Sequence, residues 1–196
     1  MNKLTKEQRD ANVRYLLEKT TPYTFDDLVT VVELLRSEGG CPWDREQTHK
    51  SIRKDIIEET YEVIEAIDND DPALMREELG DLLWQVVFHA QLEREEGRSD
   101  MGEIIHDVCF KLVHRHPHVF GNVVAETSDV VLSNWEQIKT EEKHRDTVTS
   151  KLKAVPPALP ALMRAQKVGK RAPFFDFADA NEVFAKLDEE VCELKD

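Results

Sequence analysis

Four carboxylates in this chain are spaced to hold a hard cation. Glu59 and Glu62 stand three apart in the run Glu58-Glu59-Thr60-Tyr61-Glu62, and Glu78 and Asp81 repeat that spacing in Glu77-Glu78-Leu79-Gly80-Asp81. On a helix, side chains three apart share a face. Like charges so placed repel by about 0.2–0.5 kcal/mol per pair, and a cation such as Mg²⁺ turns that repulsion into coordination. Between the two clusters, Asp68-Asn69-Asp70-Asp71-Pro72 is a turn signal, with proline placed for the first turn of a following helix. A helical hairpin folded at that turn would aim all four acids at one spot. A solvated face is the commoner fate of an acidic run. Here, however, the acids alternate with Ile56, Ile57, Val63, Ile64 and Ile67 in the first segment and with Leu79, Leu82, Leu83, Val86 and Val87 in the second. Helices of that composition must also bury a face. A ligand set made only of oxygen selects Mg²⁺, or Mn²⁺, over zinc.

The elements that must position these acids follow from periodicity and caps. Thr24-Phe25-Asp26-Asp27 reads as a helix start, followed by an apolar face of Phe25, Leu28, Val31, Val32, Leu34 and Leu35 that stops at Gly39-Gly40. Cys41-Pro42-Trp43-Asp44 is expected as a loop, with Trp43 as a packing plug. The acid-bearing helices are expected over 48–67 and 72–96, the latter ended by Gly97. Ser99 or Asp100 can cap a fourth helix from Met101 to His116, closed by Pro117, and Thr127 or Ser128 a fifth carrying Val131, Trp135 and Ile138. Residues 146–160, with Val155-Pro156-Pro157 and Leu159-Pro160, read as a linker, and helical patterns return over 161–170 and 181–196.

The last pattern echoes the first acids. Leu187-Asp188-Glu189-Glu190-Val191-Cys192-Glu193 matches Ile57-Glu58-Glu59-Thr60-Tyr61-Glu62 in two adjacent glutamates, two residues and a third glutamate. No ExxD follows it, so the chain is expected to be a fragment of a longer two-repeat protein or to carry a bare remnant of a second repeat.

Composition narrows the function classes. With 196 residues, 40% hydrophobic and 34% charged, the chain suits one domain, or one domain with an extension, and its 7 glycines and long periodic stretches favour an all-helical class. A net charge of −14 argues against a nucleic-acid partner, whose phosphates need many Lys and Arg contacts. A metal ion reconciles that charge with a nucleotide ligand by neutralising its phosphates. Cys41, Cys109 and Cys192 are too few and scattered for a disulfide framework or a zinc site. Neither a signal peptide nor a membrane span is read from the sequence, so a cytoplasmic protein is expected.

Several motifs together resemble a known family. They are Gly40-Cys41-Pro42-Trp43-Asp44, the EExxE and ExxD acids, Arg115-His116-Pro117-His118-Val119-Phe120, Trp135-Glu136-Gln137-Ile138-Lys139 and Leu159-Pro160-Ala161-Leu162-Met163-Arg164-Ala165-Gln166-Lys167. In this order, over about residues 25–190, they look like the MazG nucleoside triphosphate pyrophosphohydrolases. The resemblance implies an all-α fold, a MazG-like helical bundle completed by dimerisation, and Mg²⁺-dependent cleavage of nucleoside triphosphates to monophosphate and pyrophosphate. It implies Glu59, Glu62, Glu78 and Asp81 as metal ligands, with Glu58 and Glu59 as the acids closest to catalysis. Lys111 and Arg115 would meet the phosphates, and Trp135 and Lys139 would lie near the nucleotide. MazG proteins commonly hold two copies of the domain, and this chain matches the first copy and the opening helix of the second. The expected layout is an N-terminal extension over 1–23, a MazG-like domain over 24–145, a linker over 146–160 and a helical tail over 161–196.

Two rivals share the acidic pattern. A catalytically weak dimerisation or regulatory module could bind nucleotide without efficient turnover. A di-metal redox protein would need ExxH motifs, but the chain offers Glu78-x-x-Asp81, and His89 stands eight residues beyond Asp81. The run His114-x-His116-x-His118 would converge on zinc only along a strand, whereas here a helix is ending at Pro117.

Overall fold

A computed structural model describes residues 4–142, 147–172 and 177–194. All regular elements among them are helical. The boundary expected at 145/146 and the final residues of the tail fall outside the described residues. Contacts divide the chain into two units, Met1–Leu112 and Val113–Asp196.

The first unit is built on capped helices. Helix α1 (Lys6–Glu18) opens with a Thr5–Gln8 capping box and α2 (Phe25–Arg36) with a Thr24–Asp27 one, so side chains satisfy the orphan N–H groups of each first turn. Asp27 is buried and also bonds Lys19 at 2.8 Å, and that ammonium, with Thr24, holds its carboxyl far below the ordinary range. Helix α3 (Pro42–Glu46) is a single short helix where a loop was expected. Pro42 occupies its first turn, and Asp44 is the residue it buries. Trp43 is 55% exposed, so the expected packing plug is not one.

Helix α4 (Arg53–Asp68) begins later than periodicity implied. The Ser51 hydroxyl accepts from the Thr48 N–H (2.9 Å), and the Thr48 hydroxyl accepts from the Ser51 N–H (3.2 Å). These local bonds give the backbone an alternative to the helix. After α4, Asp70 takes a left-handed conformation (φ 49°) and the Asp71 carboxylate caps α5 (Pro72–Glu95), accepting from Ala73 and Leu74. The tight turn folds α5 back along α4 as an antiparallel hairpin. Helix α2 packs on α5, and α1 and α3 on α2. The core they enclose comprises Val32, Ile52, Val87, Phe88 and Leu92, flanked by Phe25, Leu28, Val29, Trp84 and Met101. Gly97 (φ 68°) makes the left-handed step to α6 (Met101–His114).

The second unit takes up the end of α6 and continues through α7 (Pro117–Phe120), α8 (Ser128–Glu142), α9 (Val148–Lys153), α10 (Ala161–Gly169) and α11 (Ala180–Glu193). The segment expected as linker therefore contains α9. Val155 and Ala172 are buried, and Arg171 donates to the Lys151 carbonyl at 2.9 Å. Helix α11 is capped by Asp179 and buries none of its residues. No helix among the described residues is long and apolar enough to cross a membrane.

Candidate metal centre

Antiparallel pairing of α4 and α5 is what assembles the acids. Glu59, Glu78 and Asp81 each place one carboxylate oxygen within 4.8 Å of the others, close enough for one metal ion to bridge them. Glu78 is buried, with 8% exposure, an unusual place for a carboxylate without a cationic partner. Glu62 stands beside both helices' acids. Its charge is the largest electrostatic influence on Glu78, and it also acts on Glu59. Burial, then the negative charge of Asp81 and of Glu62, pushes the Glu59 carboxyl above the ordinary range. Burial and Glu62 do the same to Glu78. Glu59 and Glu78 thus favour a proton because burial and neighbouring carboxylates oppose their charge, and a divalent cation would relieve the same strain. The donor set fits Mg²⁺ or Mn²⁺, being all oxygen. Glu58 is exposed on α4, clear of this cluster.

The remaining predicted site residues belong to segments other than α4 and α5. Lys111 is exposed on α6. Arg115 falls one residue past that helix and is buried, 6% exposed, where its Nε donates to Glu142 at 3.0 Å and a terminal amine reinforces the pair. Its guanidinium also lies 5.3 Å from the Trp135 ring, and the His116 ring meets that indole edge to face with centroids 4.9 Å apart. Trp135 is half-buried within this group of the second unit, and Lys139 bonds Glu136 at 2.7 Å. Among the described residues the histidines of the 114–118 run form no metal-binding group.

Two relationships went unread in the sequence. Glu142 gave no signal as the partner of Arg115, since 27 residues separate them. His89 was weighed only as a missing ExxH ligand, whereas it bonds His49 across the hairpin, at Nδ1–Nδ1 2.6 Å.

Residues 47–120 match the MazG nucleotide pyrophosphohydrolase domain, a span that holds both acid pairs. These residues carry a MazG domain. It is 49% identical over 172 residues to a nucleoside triphosphate pyrophosphohydrolase of Escherichia coli (strain K12), covering 86% of this chain and 65% of that protein. It is 44% identical over 174 residues to a Thermotoga maritima protein named nucleoside triphosphate pyrophosphohydrolase/pyrophosphatase MazG, covering 88% of this chain and 66% of that one. A Mycobacterium tuberculosis nucleoside triphosphate pyrophosphohydrolase is 38% identical over 148 residues, 74% of this chain and 44% of its own length. The chain therefore spans just under two thirds of the first two relatives and less than half of the third.

Proposed function

We propose that this chain is a Mg²⁺-dependent nucleoside triphosphate pyrophosphohydrolase of the MazG family, converting a nucleoside triphosphate and water to the monophosphate and pyrophosphate. The observation that carries the reading is the convergence of Glu59, Glu78 and Asp81 within 4.8 Å, with Glu62 beside them, on a chain matching that domain. Glu59, Glu62, Glu78 and Asp81 would hold the metal, which when bound supplies charge neutralisation for the triphosphate and its leaving group. Glu58, exposed one residue before the first ligand, would orient and deprotonate water. Lys111 presents an exposed ammonium for non-bridging phosphate oxygens. Trp135 and Lys139 supply an aromatic face and a cation for the nucleotide, and Arg115 reaches phosphate by exchanging its bond with Glu142.

A homodimer accompanies this reading. Ile57, Tyr61, Ile64 and Ile67 form an exposed apolar stripe along α4, and Leu79, Leu83 and Val86 another along α5, each of them 39% exposed or more. Stripes of that extent on a helical hairpin call for a cover, and a second copy supplies a self-complementary one.

The commitment of Arg115 to Glu142 favours a second reading, a regulatory module that binds nucleotide and turns it over poorly. One assay separates the two. A panel of nucleoside triphosphates incubated with the chain and Mg²⁺ should yield monophosphate and pyrophosphate, resolved by ion-exchange chromatography. Nucleotide binding without products would leave the module, while full activity in EDTA or release of orthophosphate with diphosphate would refute the proposed chemistry.

A further inference from the structure

The α4–α5 hairpin is tied at its open end by a contact that the carboxylate chemistry does not use. His49 lies just before α4, and His89 lies on α5 beyond the acids. Their rings are nearly parallel, at 13°, with centroids 4.9 Å apart and Nδ1 atoms 2.6 Å apart. The gap between those two distances equals one ring radius on each side. The imidazoles therefore meet edge to edge in one plane, joined by an N–H···N bond. The far edge of His49 places Nε2 2.9 Å from the Glu93 carboxylate. Arg98 donates to the same carboxylate at 2.7 and 2.8 Å, lies 3.2 Å from His49 Nε2 and also pairs with Glu96. Helix α2 meets this stretch of α5 through Glu33–Arg94 (2.9 Å) and Arg36–Glu95 (2.7 Å). His89 Nε2 is fully buried, with no hydrogen-bond partner among the described residues.

These contacts set the tautomers. A carboxylate only accepts, so His49 carries its proton on Nε2 toward Glu93 and offers a lone pair at Nδ1. His89 then donates from Nδ1, and its buried Nε2 holds a lone pair rather than an N–H. An added proton has two destinations, and both are costly. On His49 Nδ1 it forces the His89 proton across to Nε2, creating a buried donor without an acceptor. On His89 Nε2 it creates an imidazolium whose new N–H is buried with no acceptor among the described residues. With both rings protonated, two N–H groups would point at each other across the shared bond. Burial, and then the proximity of His49, hold His89 below the ordinary imidazole range against the opposing pull of Glu93.

We propose that His49 and His89 form a proton-sensitive latch that closes the open end of the α4–α5 hairpin and so positions Glu59 and Glu62 against Glu78 and Asp81. The turn around Asp70 restrains one end of the hairpin and the latch the other. The mutually repelling acids sit between the two ties. Both histidines are positioning residues. That the acids bind metal rests on the function proposed above, whereas the latch rests on ring geometry.

Amide hydrogen exchange over residues 48–56 of the metal-free full chain, corrected for intrinsic rates, reads the latch directly. Acidification from about pH 7.5 to about pH 5.5, across the ordinary imidazole range, should lower protection there by about tenfold or more. His89→Asn places an amide donor near the Nδ1 position and can turn its oxygen to accept from a protonated His49, so it should hold protection at both pH values. His89→Ala should lose protection at both. Unchanged parental protection, or a His89→Asn chain that opens with acid as the parent does, overturns the latch. Should His89→Asn fail to fold, NMR titration of the parent's imidazoles still decides: coupled uptake with one ring below the ordinary range supports the latch, and independent titration of both at the ordinary value overturns it. Isothermal titration with Mg²⁺ at about pH 7.5 separates the two ideas. A chain with an intact latch that binds no Mg²⁺ would refute the metal reading alone.

Discussion

Glu59 and Glu78 hold protons more tightly than free glutamates because burial strips their water and neighbouring carboxylates add repulsion. A carboxyl whose folded pKa is raised contributes stability below its unfolded value, near 4.5, and loses it as pH rises through the folded value. The metal-free chain should therefore lose this contribution above about pH 4.5, and Mg²⁺ should restore it while releasing protons. Thermal melts in EDTA and in Mg²⁺ across that range check both halves. Asp81→Ala or Glu62→Ala should lower turnover by more than ~100-fold, beyond what groups that merely orient a ligand contribute. Either variant should melt in EDTA no lower than the parent, since one repelling charge is gone. A markedly lower melt would show instead that the acids support the fold. Lys111→Ala should raise KM or lower kcat with Mg²⁺ affinity unchanged by calorimetry, and unaltered kinetics would make Lys111 an ordinary solvated lysine.

The elements divide by how local their causes are. The starts of α2 and α5 were readable because Thr24–Asp27 and Asp71–Pro72 cap their own first turns within a few residues. Helix α3 was missed because Gly40, Pro42 and Trp43 read as loop chemistry, although proline suits a first helical turn as well as it suits a loop. The first turn expected of α4 is displaced by the Thr48–Ser51 hydroxyl bonds, a competition that periodicity does not register. In the second unit, packing sets Arg115 against Glu142 and Trp135 against His116, contacts that the expectation of substrate-binding roles did not register. Arg115→Ala should accordingly destabilise the chain by about 1–2 kcal/mol, the worth of a charge-assisted bond whose acceptor can still reach water. Urea unfolding followed by tryptophan fluorescence would measure it, and a loss under about 0.3 kcal/mol would make the pair a surface contact.

For the whole molecule, the apolar stripes on α4 and α5 stand exposed on a single chain. Ile64→Glu, on the α4 stripe at 43% exposure, should shift the chain from dimer to monomer in light scattering. A parent already monomeric at working concentration would refute the dimer. Chain shortened near Pro157 should keep its turnover, because α11 carries acids without the second pair, and the tail's bond from Arg171 to Lys151 is an exposed one. A shortened chain that is folded, dimeric and inactive would place the tail in the active site. The amino-acid sequence by itself determined the helical class, the hairpin turn and the four acids, since each depends on spacing of three or four residues or on a cap beside the helix it starts. Tertiary structure alone decided which acids meet within 4.8 Å, that Glu142 occupies Arg115, and that His49 closes on His89. Those pairings join residues from 19 to 40 positions apart, where no periodic signal reaches and only the packing of helix on helix selects the partner.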